Sequence, residues 1–512
     1  MSVDTLRETF HINRIATEDL EDFLTAQTYR PEITAARNKV KSLSHVGLQT
    51  VCDTPIRQGQ SPKYVEGDGL TCIKPKNTRD LIVDLADCDA IDAYTANEVR
   101  RQKLEYGDVV ITRSGSGTIG RASIFTGSGD VYTNDHLFIV RVSEADGFYV
   151  GAFLKSYWGE RLLEAGISGS TGQLNLSNEH IKQITLYQPG PQVQKYIGNK
   201  VRQAERLRLL ASFSARRCEE LISTTQMPNV EYSERYSRVN PNLLTHMLTA
   251  TTYKKEYVEN QKFILDNGGE VRSLTSYFNS ITNGYDERQE LAEGIPYVKV
   301  AEVRPGFIDT GNAGRVHRSK ISDASDKQRP VKGDLLLTRK GSFGFAAVVM
   351  SEEPFLASSE VFVCKPKDKS QMPLLAAFIN SAAGYKQFRQ YSTGTTMPGI
   401  NQGNLSNVFI PDFEGVDTEE FNQLHKTRYV SACLSKSLTL AARKLVELLI
   451  DGALTEQQIA DAQMALEADD TSFDRDILAR LTTKGLDGDG GPLFDDLDQL
   501  YELLAQSQQM DE

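Results

Sequence analysis

The sequence predicts an α+β fold: two duplicated domains of mixed β structure and helices, separated by two long antiparallel coiled-coil helices, plus an acidic helical C-terminal tail. Three observations predict it. Four blocks of sequence recur about 225 residues apart, a heptad-like apolar stripe follows each copy, and acidic residues concentrate at the carboxyl end. The expected segments are 1–190 and 229–415 for the domains, 191–228 and 416–460 for the helices, and 461–512 for the tail.

The duplication is clearest around a glycine-rich segment. Residues 106–125 read YGDVVITRSGSGTIGRASIF, and residues 332–350 read KGDLLLTRKGSFGFAAVVM. Three further blocks keep nearly the same offset: 70–79 with 295–304, 135–142 with 359–366, and 168–190 with 392–413. A steady offset across separate blocks is hard to produce by chance, so the sequence predicts two copies of one unit.

Each copy has the same internal order. The runs VVITR and LLLTR are rich in β-branched and aliphatic residues, which predicts short strands that end in glycine-rich turns. Apolar residues at spacings of three and four predict a helix at 148–166 and another at 373–391. A polar loop and a final β run, ITLYQP or VFIPDF, complete each copy.

Long amphipathic helices are predicted at 191–225 and 417–452. At 1.5 Å per residue each would be about 50 Å long, so its own small domain would leave part of the apolar stripe uncovered. Mutual burial as an antiparallel coiled coil is the simplest arrangement, and two helices packed separately on their own domains are the alternative. We expect partner-binding positions on these helices at Val201, Leu207, Leu438 and Leu445.

The composition predicts a cytoplasmic protein without a metal site. The amino terminus has charges throughout and no apolar core, unlike a secretory signal, and no apolar run approaches the ~20 residues that cross a bilayer. The 6 cysteines are scattered without a C-x-x-C pair, which argues against disulfides and a zinc site.

The net charge of −12 belongs almost wholly to the tail, because residues 461–512 hold 14 acidic and 3 basic side chains. The rest of the chain is nearly neutral, so overall charge gives no positive support for nucleic-acid binding. The tail has two interpretations: an arm that docks a partner or mimics DNA, or a solvated, partly disordered terminus. Its acidic, Gly/Asp-rich composition favours the second.

Two loops in each copy carry side chains suited to duplex DNA. Arginine fits guanine and asparagine or glutamine fits adenine, whereas serine, threonine and lysine mainly hold phosphates. The alternatives are a β-hairpin with solvated polar tips for the glycine-rich turn and a surface loop with capping residues for the polar loop. The expected DNA-binding residues of these loops are Arg113, Ser114, Ser116, Thr118, Arg121, Ser170, Thr171, Gln173 and Asn175 in the first copy, and Arg339, Lys340, Ser342, Thr393, Thr395, Thr396, Asn401 and Gln402 in the second. A third candidate segment, at 57–64, adds Arg57 and Lys63.

These ordered, duplicated blocks resemble the specificity subunit of type I restriction–modification systems. The resemblance covers 45–460 and rests on GDVVITRSGSGTIGRASI with NDHLFIVRV, on their second copies GDLLLTRKGSFGFAAVV and SSEVFVCKP, on the polar loops that follow, and on ARKLVELLIDGALTEQQI. It implies two target-recognition domains held apart by two long helices. The helical segments at 1–44 and 232–272 and the acidic tail depart from the family pattern.

The resemblance also implies a set of partners. The chain would read an asymmetric, two-part site on double-stranded DNA and position DNA methyltransferase subunits, two of them, together with a restriction/translocase subunit. S-adenosylmethionine, ATP and Mg are then expected on the partner subunits, with no cofactor in this chain.

The residues predict no catalytic activity. The closest string to a methyltransferase N-P-P-[YF] motif, at Asn240–Leu243, lacks the second proline and the aromatic residue, and no phosphate-binding G-x-x-x-x-G-K-[ST] loop occurs. The alternative is a non-catalytic scaffold subunit of a related anti-phage defence system that binds protein partners rather than DNA directly.

Overall fold

The computed structural model describes residues 15–17, 20, 24–115, 117–169, 174–222, 238–241, 244–394, 396–488 and 490–510. The chain divides into two units. The repeat-one unit combines Ser2–Leu209 with Ser431–Glu512, and the repeat-two unit is Leu210–Val430. The unit boundaries therefore fall inside the two long helices, whereas the sequence predicts domain limits at helix ends.

In the part that the structure describes, the first copy contains short strands and four α-helices before the first long helix. The strands are β1 (His45–Gly47), β2 (Arg57–Gln58), β3 (Tyr64–Val65), β4 (Leu70–Ile73), β5 (Asp89–Ile91), β6 (Val109–Thr112), β7 (Ala122–Ile124), β8 (Val131–Thr133), β9 (Leu137–Val140), β10 (Ile167–Ser168), β11 (Asn175–Leu176) and β12 (Thr185–Tyr187). The helices are α1 (Pro31–Lys41), α2 (Gly147–Lys155), α3 (Tyr157–Glu164) and α4 (Asn178–Gln183), followed by the long helix α5 (Pro191–Leu221).

Two four-stranded sheets form the body of the first copy. One has the strand order β2-β9-β6-β7, and the other has the order β3-β5-β4-β8 with β4 and β8 parallel. All residues of β6 and β9 are buried, because the runs VVIT and LFIV offer apolar side chains to both faces of the sheet. Strand β1 pairs with β12, which brings the start and the end of the copy together.

The second copy repeats this order. Its elements are α6 (Lys255–Asn267), β13 (Arg272–Ser273), β14 (Phe278–Asn283), β15 (Ile295–Val298), β16 (Val303–Arg304), β17 (Phe307–Ile308), β18 (Gly314–Val316), α7 (Lys320–Asp323), β19 (Leu335–Thr338), β20 (Ala346–Val348), β21 (Leu356–Ala357), β22 (Val361–Pro366), α8 (Met372–Asn380), α9 (Ala382–Gln390), β23 (Phe409–Ile410) and the long helix α10 (Thr418–Asp451). The tail adds α11 (Glu456–Glu467), α12 (Ser472–Arg480) and α13 (Leu497–Gln508).

The sheets of the second copy match those of the first. The order β14-β22-β19-β20 corresponds to β2-β9-β6-β7, the parallel pair β15 and β21 corresponds to β4 and β8, and β13 pairs with β23 as β1 pairs with β12. The predicted α+β fold with duplicated domains is therefore confirmed.

Local details recur as well. Ser156 caps α3 by accepting a hydrogen bond from the amide of Gly159, and Ser381 caps α9 by accepting one from Gly384. A side chain on either glycine would come within 2.1 Å of a carbonyl oxygen in the last turn of the preceding helix, that of Phe153 or Phe378. The two copies therefore share the same tight helix–helix turn, which only glycine fits.

The long helices have nearly the predicted limits, and they pack together. In the repeat-one unit, Ser435 of α10 donates a hydrogen bond of 2.7 Å to the carbonyl of Ala204 in α5. In the repeat-two unit, Cys218 and Phe421 share one apolar cluster with Leu374. The detailed coiled-coil geometry stays a prediction.

The four positions expected to bind a partner lie inside the chain and not on its surface. Val201, Leu207, Leu438 and Leu445 are all fully buried within the chain. The apolar stripes are covered by the chain itself, so these side chains support the fold. A partner subunit would have to contact other faces of the same helices.

The acidic tail is folded over most of its length, which makes the solvated-terminus interpretation wrong for α11–α13. Asp474 of α12 is 1% exposed and accepts hydrogen bonds of 2.6 and 2.7 Å from the ammonium group of Lys200 in α5. The hydroxyls of Tyr196 and Tyr501 donate to the same carboxylate.

Across the described residues, every helix is too short or too polar to cross a bilayer.

His425 of α10 predicts a pH-dependent stability. It is buried, and neither ring nitrogen has a hydrogen-bond partner among the described residues. Burial, with a smaller contribution from Arg428, lowers its pKa from 6.5 to about 4. Unfolding therefore takes up a proton below pH 6.5, so stability should fall by up to about 1.4 kcal/mol per pH unit between these values.

The measurement is chemical unfolding of the wild type and of His425→Leu between pH 7 and about 4, within the range where this histidine titrates. Because leucine cannot titrate and leaves no unpaired polar atom, the variant should lose less stability than the wild type as the pH falls. Parallel curves for the two proteins would contradict the assignment.

Candidate nucleic-acid interface

The glycine-rich turn and the polar loop meet in each copy. In repeat one, the carbonyl of Arg113, directly after β6, accepts a hydrogen bond of 2.9 Å from the amide of Leu176, and Ser114 forms an isolated bridge with Asn175. The two predicted loops therefore lie side by side. We call this joint surface the two-loop edge.

Repeat two builds the same edge from equivalent residues. The carbonyl of Arg339 accepts a hydrogen bond of 2.9 Å from the amide of Ile400, and Lys340 forms a bridge with Gly399. Thr393 and Gly399 exchange two backbone hydrogen bonds, which close the polar loop into a hairpin. The loops that the sequence singles out separately are thus one surface in each unit.

Glycine is required where the turn folds back. Gly120 and Gly344 have φ values of 78° and 86°, in the left-handed region that other residues rarely adopt. Their amides donate to the carbonyls of Thr112 and Thr338 at 2.8 and 2.9 Å. The turn therefore closes with the same backbone hydrogen bond in both copies, although the first turn is two residues longer than the second.

Several predicted DNA-binding side chains of repeat one are already engaged within the fold. Arg57 donates to the carbonyl of Arg101, Lys63 lies 3.5 Å from Asp92, Thr118 donates to the carbonyl of Gly115, and Arg121 donates to the carbonyl of Gly117. Such contacts hold the loops in place. Lys63 is nevertheless 72% exposed, so its ammonium group can also reach a phosphate.

In repeat two, three predicted residues brace the polar loop. Arg339 donates to the carbonyl of Ser359 at 3.0 Å, and Gln402 donates to the carbonyl of Ile281 at 2.8 Å. Asn401 accepts a hydrogen bond from the amide of Asn404 at 2.9 Å, as the capping alternative predicts. These three side chains shape the edge.

Four of the other predicted residues leave their side chains available. Arg113, Ser342, Thr393 and Thr396 form no side-chain hydrogen bond or ion pair with another described residue, and the last three are exposed. Asn175 lies in β11 on the edge itself and is half-buried. The predicted residues Ser116, Ser170, Thr171, Gln173 and Thr395 lie outside the described residues.

The sequence interpretation missed two residues of the edge. His136 bonds through Nδ1 to the hydroxyl of Ser114, and Glu360 lies 3.3 Å from the ammonium group of Lys340. Both stand immediately before the buried strands β9 and β22, in the blocks DHLFIVRV and SEVFVCKP. Their signal is a polar side chain at the same place in both copies, directly before an apolar run.

Metal chemistry has no support among the residues that the structure describes, because none of their His, Cys, Asp and Glu side chains form a group that could hold an ion. Burial raises the pKa of Cys72 to about 12, so this thiol is protonated at neutral pH. The two-loop edge itself presents hydrogen-bonding groups and charges, at Ser114 with His136 and at Lys340 with Glu360.

Comparison with known proteins finds a match within the second copy. Residues 268–411 match the family model of the type I restriction modification DNA specificity domain. This match confirms the resemblance predicted from the sequence. A comparison with curated proteins found no match.

Solved structures give further likenesses. The S subunit of a type I restriction–modification system from M. genitalium has 11% identity and a TM-score of 0.39, covering 83% of this chain and 94% of that chain. The HsdS subunit from Thermoanaerobacter tengcongensis has 13% identity and a TM-score of 0.25, covering 84% of this chain and 97% of that chain.

Proposed function

We propose that this chain is the sequence-reading, non-catalytic subunit of a restriction–modification complex, because residues 268–411 match the family model of the type I restriction modification DNA specificity domain. The observation that carries the proposal is the two-loop edge, which recurs with the same backbone hydrogen bonds at Arg113 and Arg339. The two copies of the edge carry different side chains. They therefore suit a DNA site with two parts of different sequence, one for each copy.

In this proposal, the partners perform the chemistry. Methyltransferase subunits bring S-adenosylmethionine, and a restriction/translocase subunit brings ATP and Mg, while this chain selects where they act.

The nearly equal numbers of acidic and basic residues outside the tail favour a second candidate, a scaffold that binds protein partners instead of DNA.

Salt dependence separates the two candidates. A protein that contacts 6–10 phosphates loses about 10³–10⁵ in affinity for DNA between 50 and 200 mM salt, because bound counterions are released. We expect such a fall when the full chain, assembled with its methyltransferase subunit, binds duplex DNA. An affinity that does not change with salt would favour the scaffold.

Arg113 supplies the sharper test. Its guanidinium group has no partner among the described residues and lies on the repeat-one edge. Loss of an arginine that reads guanine costs about 1–3 kcal/mol of binding and relaxes selectivity at one base pair. We expect this result for Arg113→Ala in binding assays with variant duplexes.

Arg216→Ala is the matched control. Arg216 is an exposed arginine of α5, so this substitution removes the same charge from a place remote from the loops in sequence. It should leave base selectivity unchanged. Equal effects of the two substitutions would show that only net charge matters and would remove Arg113 from the reading surface.

A further inference from the structure

The two copies place different side-chain pairs at one equivalent position of the edge. In repeat one, the amide of Arg113 donates to the carbonyl of His136 at 2.8 Å. The side chain of the next residue, Ser114, then bonds to the His136 ring. Backbone and side chain together fix His136 beside the glycine-rich turn, and its side chain is exposed.

Repeat two has the same backbone hydrogen bond and the same side-chain contact, but its two side chains are charged. The amide of Arg339 donates to the carbonyl of Glu360 at 3.0 Å, and the next residue, Lys340, places its ammonium group 3.3 Å from Glu360 Oε1. The side chains of Lys340 and Glu360 are 45% and 40% exposed. A donor and an acceptor are therefore held next to each other where the two loops meet.

We propose that Lys340 and Glu360 together read one G·C base pair, an inference that rests on the proposed function. In the major groove, guanine presents the acceptors O6 and N7, and cytosine presents the N4 amino donor. Lysine can donate to the first, and glutamate can accept from the second. A T·A pair also sets an acceptor, thymine O4, beside a donor, adenine N6, but it carries a methyl group where guanine has N7, so a lysine that donates to both O6 and N7 selects G·C.

The spacing of the pair supports this assignment. Guanine O6 and cytosine N4 are joined by a hydrogen bond of about 2.9 Å, as is usual between nitrogen and oxygen. The 3.3 Å between Lys340 Nζ and Glu360 Oε1 matches that separation. Lysine keeps two further donors after the contact, and Glu360 Oε1 keeps a further lone pair for cytosine, whereas Oε2 is buried. The pair can therefore stay intact while it contacts both bases.

The equivalent Ser114–His136 pair has no carboxylate, so repeat one lacks the group that only accepts hydrogen bonds and thereby selects cytosine. The two parts of the DNA site should differ at this position. A contact that only holds the loops together has no need of different residues in the two copies. The change from Ser114–His136 to Lys340–Glu360 therefore favours a role in reading DNA.

Charge reversal tests the proposal. Lys340→Glu combined with Glu360→Lys keeps an ion pair of the same composition but exchanges donor and acceptor. The full chain with its methyltransferase subunit is used to select sites from randomised duplex DNA. We expect one position, in one part of the selected site, to change from G·C to C·G with a preference of about tenfold. A wild-type site that the reversal leaves unchanged would overturn the inference.

A second variant guards against a folding defect. Glu360→Gln keeps the shape of the side chain but adds an amide donor, so it should remove the preference for cytosine at that one position. Thermal unfolding shows whether each variant keeps its fold. Retained selectivity in a folded Glu360→Gln variant would also overturn the inference. A wild-type complex that selects no site overturns the proposed function itself, and with it this inference.

Discussion

Replacing Asp474 by alanine should cost about 3–5 kcal/mol of stability in the repeat-one unit, because it leaves the charge of Lys200 buried without a partner. Both side chains are almost fully buried, with 0% and 1% exposure, and the hydroxyls of Tyr196 and Tyr501 also lose their acceptor. Denaturant unfolding measures the loss, and hydrogen exchange shows whether α11–α13 open first.

Two variants separate charge burial from loss of contacts. Lys195 and Glu467 also join α5 to the tail, at 2.7 Å, but they are 53% and 39% exposed. Since solvent screens such a pair, Glu467→Gln should cost no more than about 1 kcal/mol. The double variant Lys200→Met with Asp474→Leu should recover much of the loss, because apolar side chains replace a buried pair well. A cost for Asp474→Ala as small as that of Glu467→Gln would contradict the burial of this pair.

The effect also has a defined pH dependence. Burial alone would raise the pKa of Asp474, but Lys200 and the two tyrosine hydroxyls outweigh it and hold the pKa below its ordinary value of 3.8. A carboxylate with a lowered pKa stabilises the fold above that ordinary value, and the contribution disappears as the pH falls through the lower folded-state pKa. The difference between wild type and Asp474→Ala should therefore be constant at neutral pH and shrink only in strong acid.

The sequence predicts the duplication well because both copies need the same backbone conformations, and each conformation requires a particular type of residue. An apolar run such as VVIT or LLLT can only be a buried strand here, and the glycines after it supply the left-handed turn that both copies need. The order of these signals determines which loops are brought together. The long helices follow for the same reason, since their apolar stripes have a clear period.

The tail and the partner positions were harder to predict for one physical reason. The amino-acid composition of a segment indicates how well it dissolves on average, whereas individual contacts decide whether the segment folds. Lys200 is one lysine within an otherwise apolar stripe of α5, and nothing in the acidic tail marks Asp474 as its partner. The stripe residues Val201 and Leu207 suggest an open surface only when the elements that cover them are unknown. His136 and Glu360 were missed because each becomes part of the edge only through its neighbour across the sheet.

A buried aspartate in each copy predicts that the two parts of the DNA site can be disabled separately. Asp108 accepts two hydrogen bonds from the guanidinium group of Arg141, at 2.9 and 2.7 Å, and one from the amide of Glu105. Each bond anchors the start of β6, the strand that leads directly into the glycine-rich turn. Removing this carboxylate should therefore loosen the repeat-one edge at its base.

Repeat two has the same anchor. Asp334 lies 2.6 Å from the ammonium group of Lys365 and accepts a hydrogen bond of 2.8 Å from the amide of Val331, at the start of β19. Both aspartates are 2% exposed, whereas Lys365 keeps 20% exposure and Arg141 24%. Because the remaining cation can partly reach water, we expect each alanine variant to cost about 3 kcal/mol, the lower end for a broken buried pair.

The functional consequence follows from the proposal that each copy reads one part of the DNA site. Asp334→Ala should blur the part of the selected DNA site that repeat two reads and leave the other part sharp, and Asp108→Ala should do the reverse. Site selection from randomised duplex DNA by the full complex measures both parts at once, so each variant serves as the control for the other. Loss of the same part in both variants would mean that the copies do not read DNA separately. Loss of neither, in proteins shown by unfolding to be destabilised, would mean that the strands β6 and β19 do not position the reading surface.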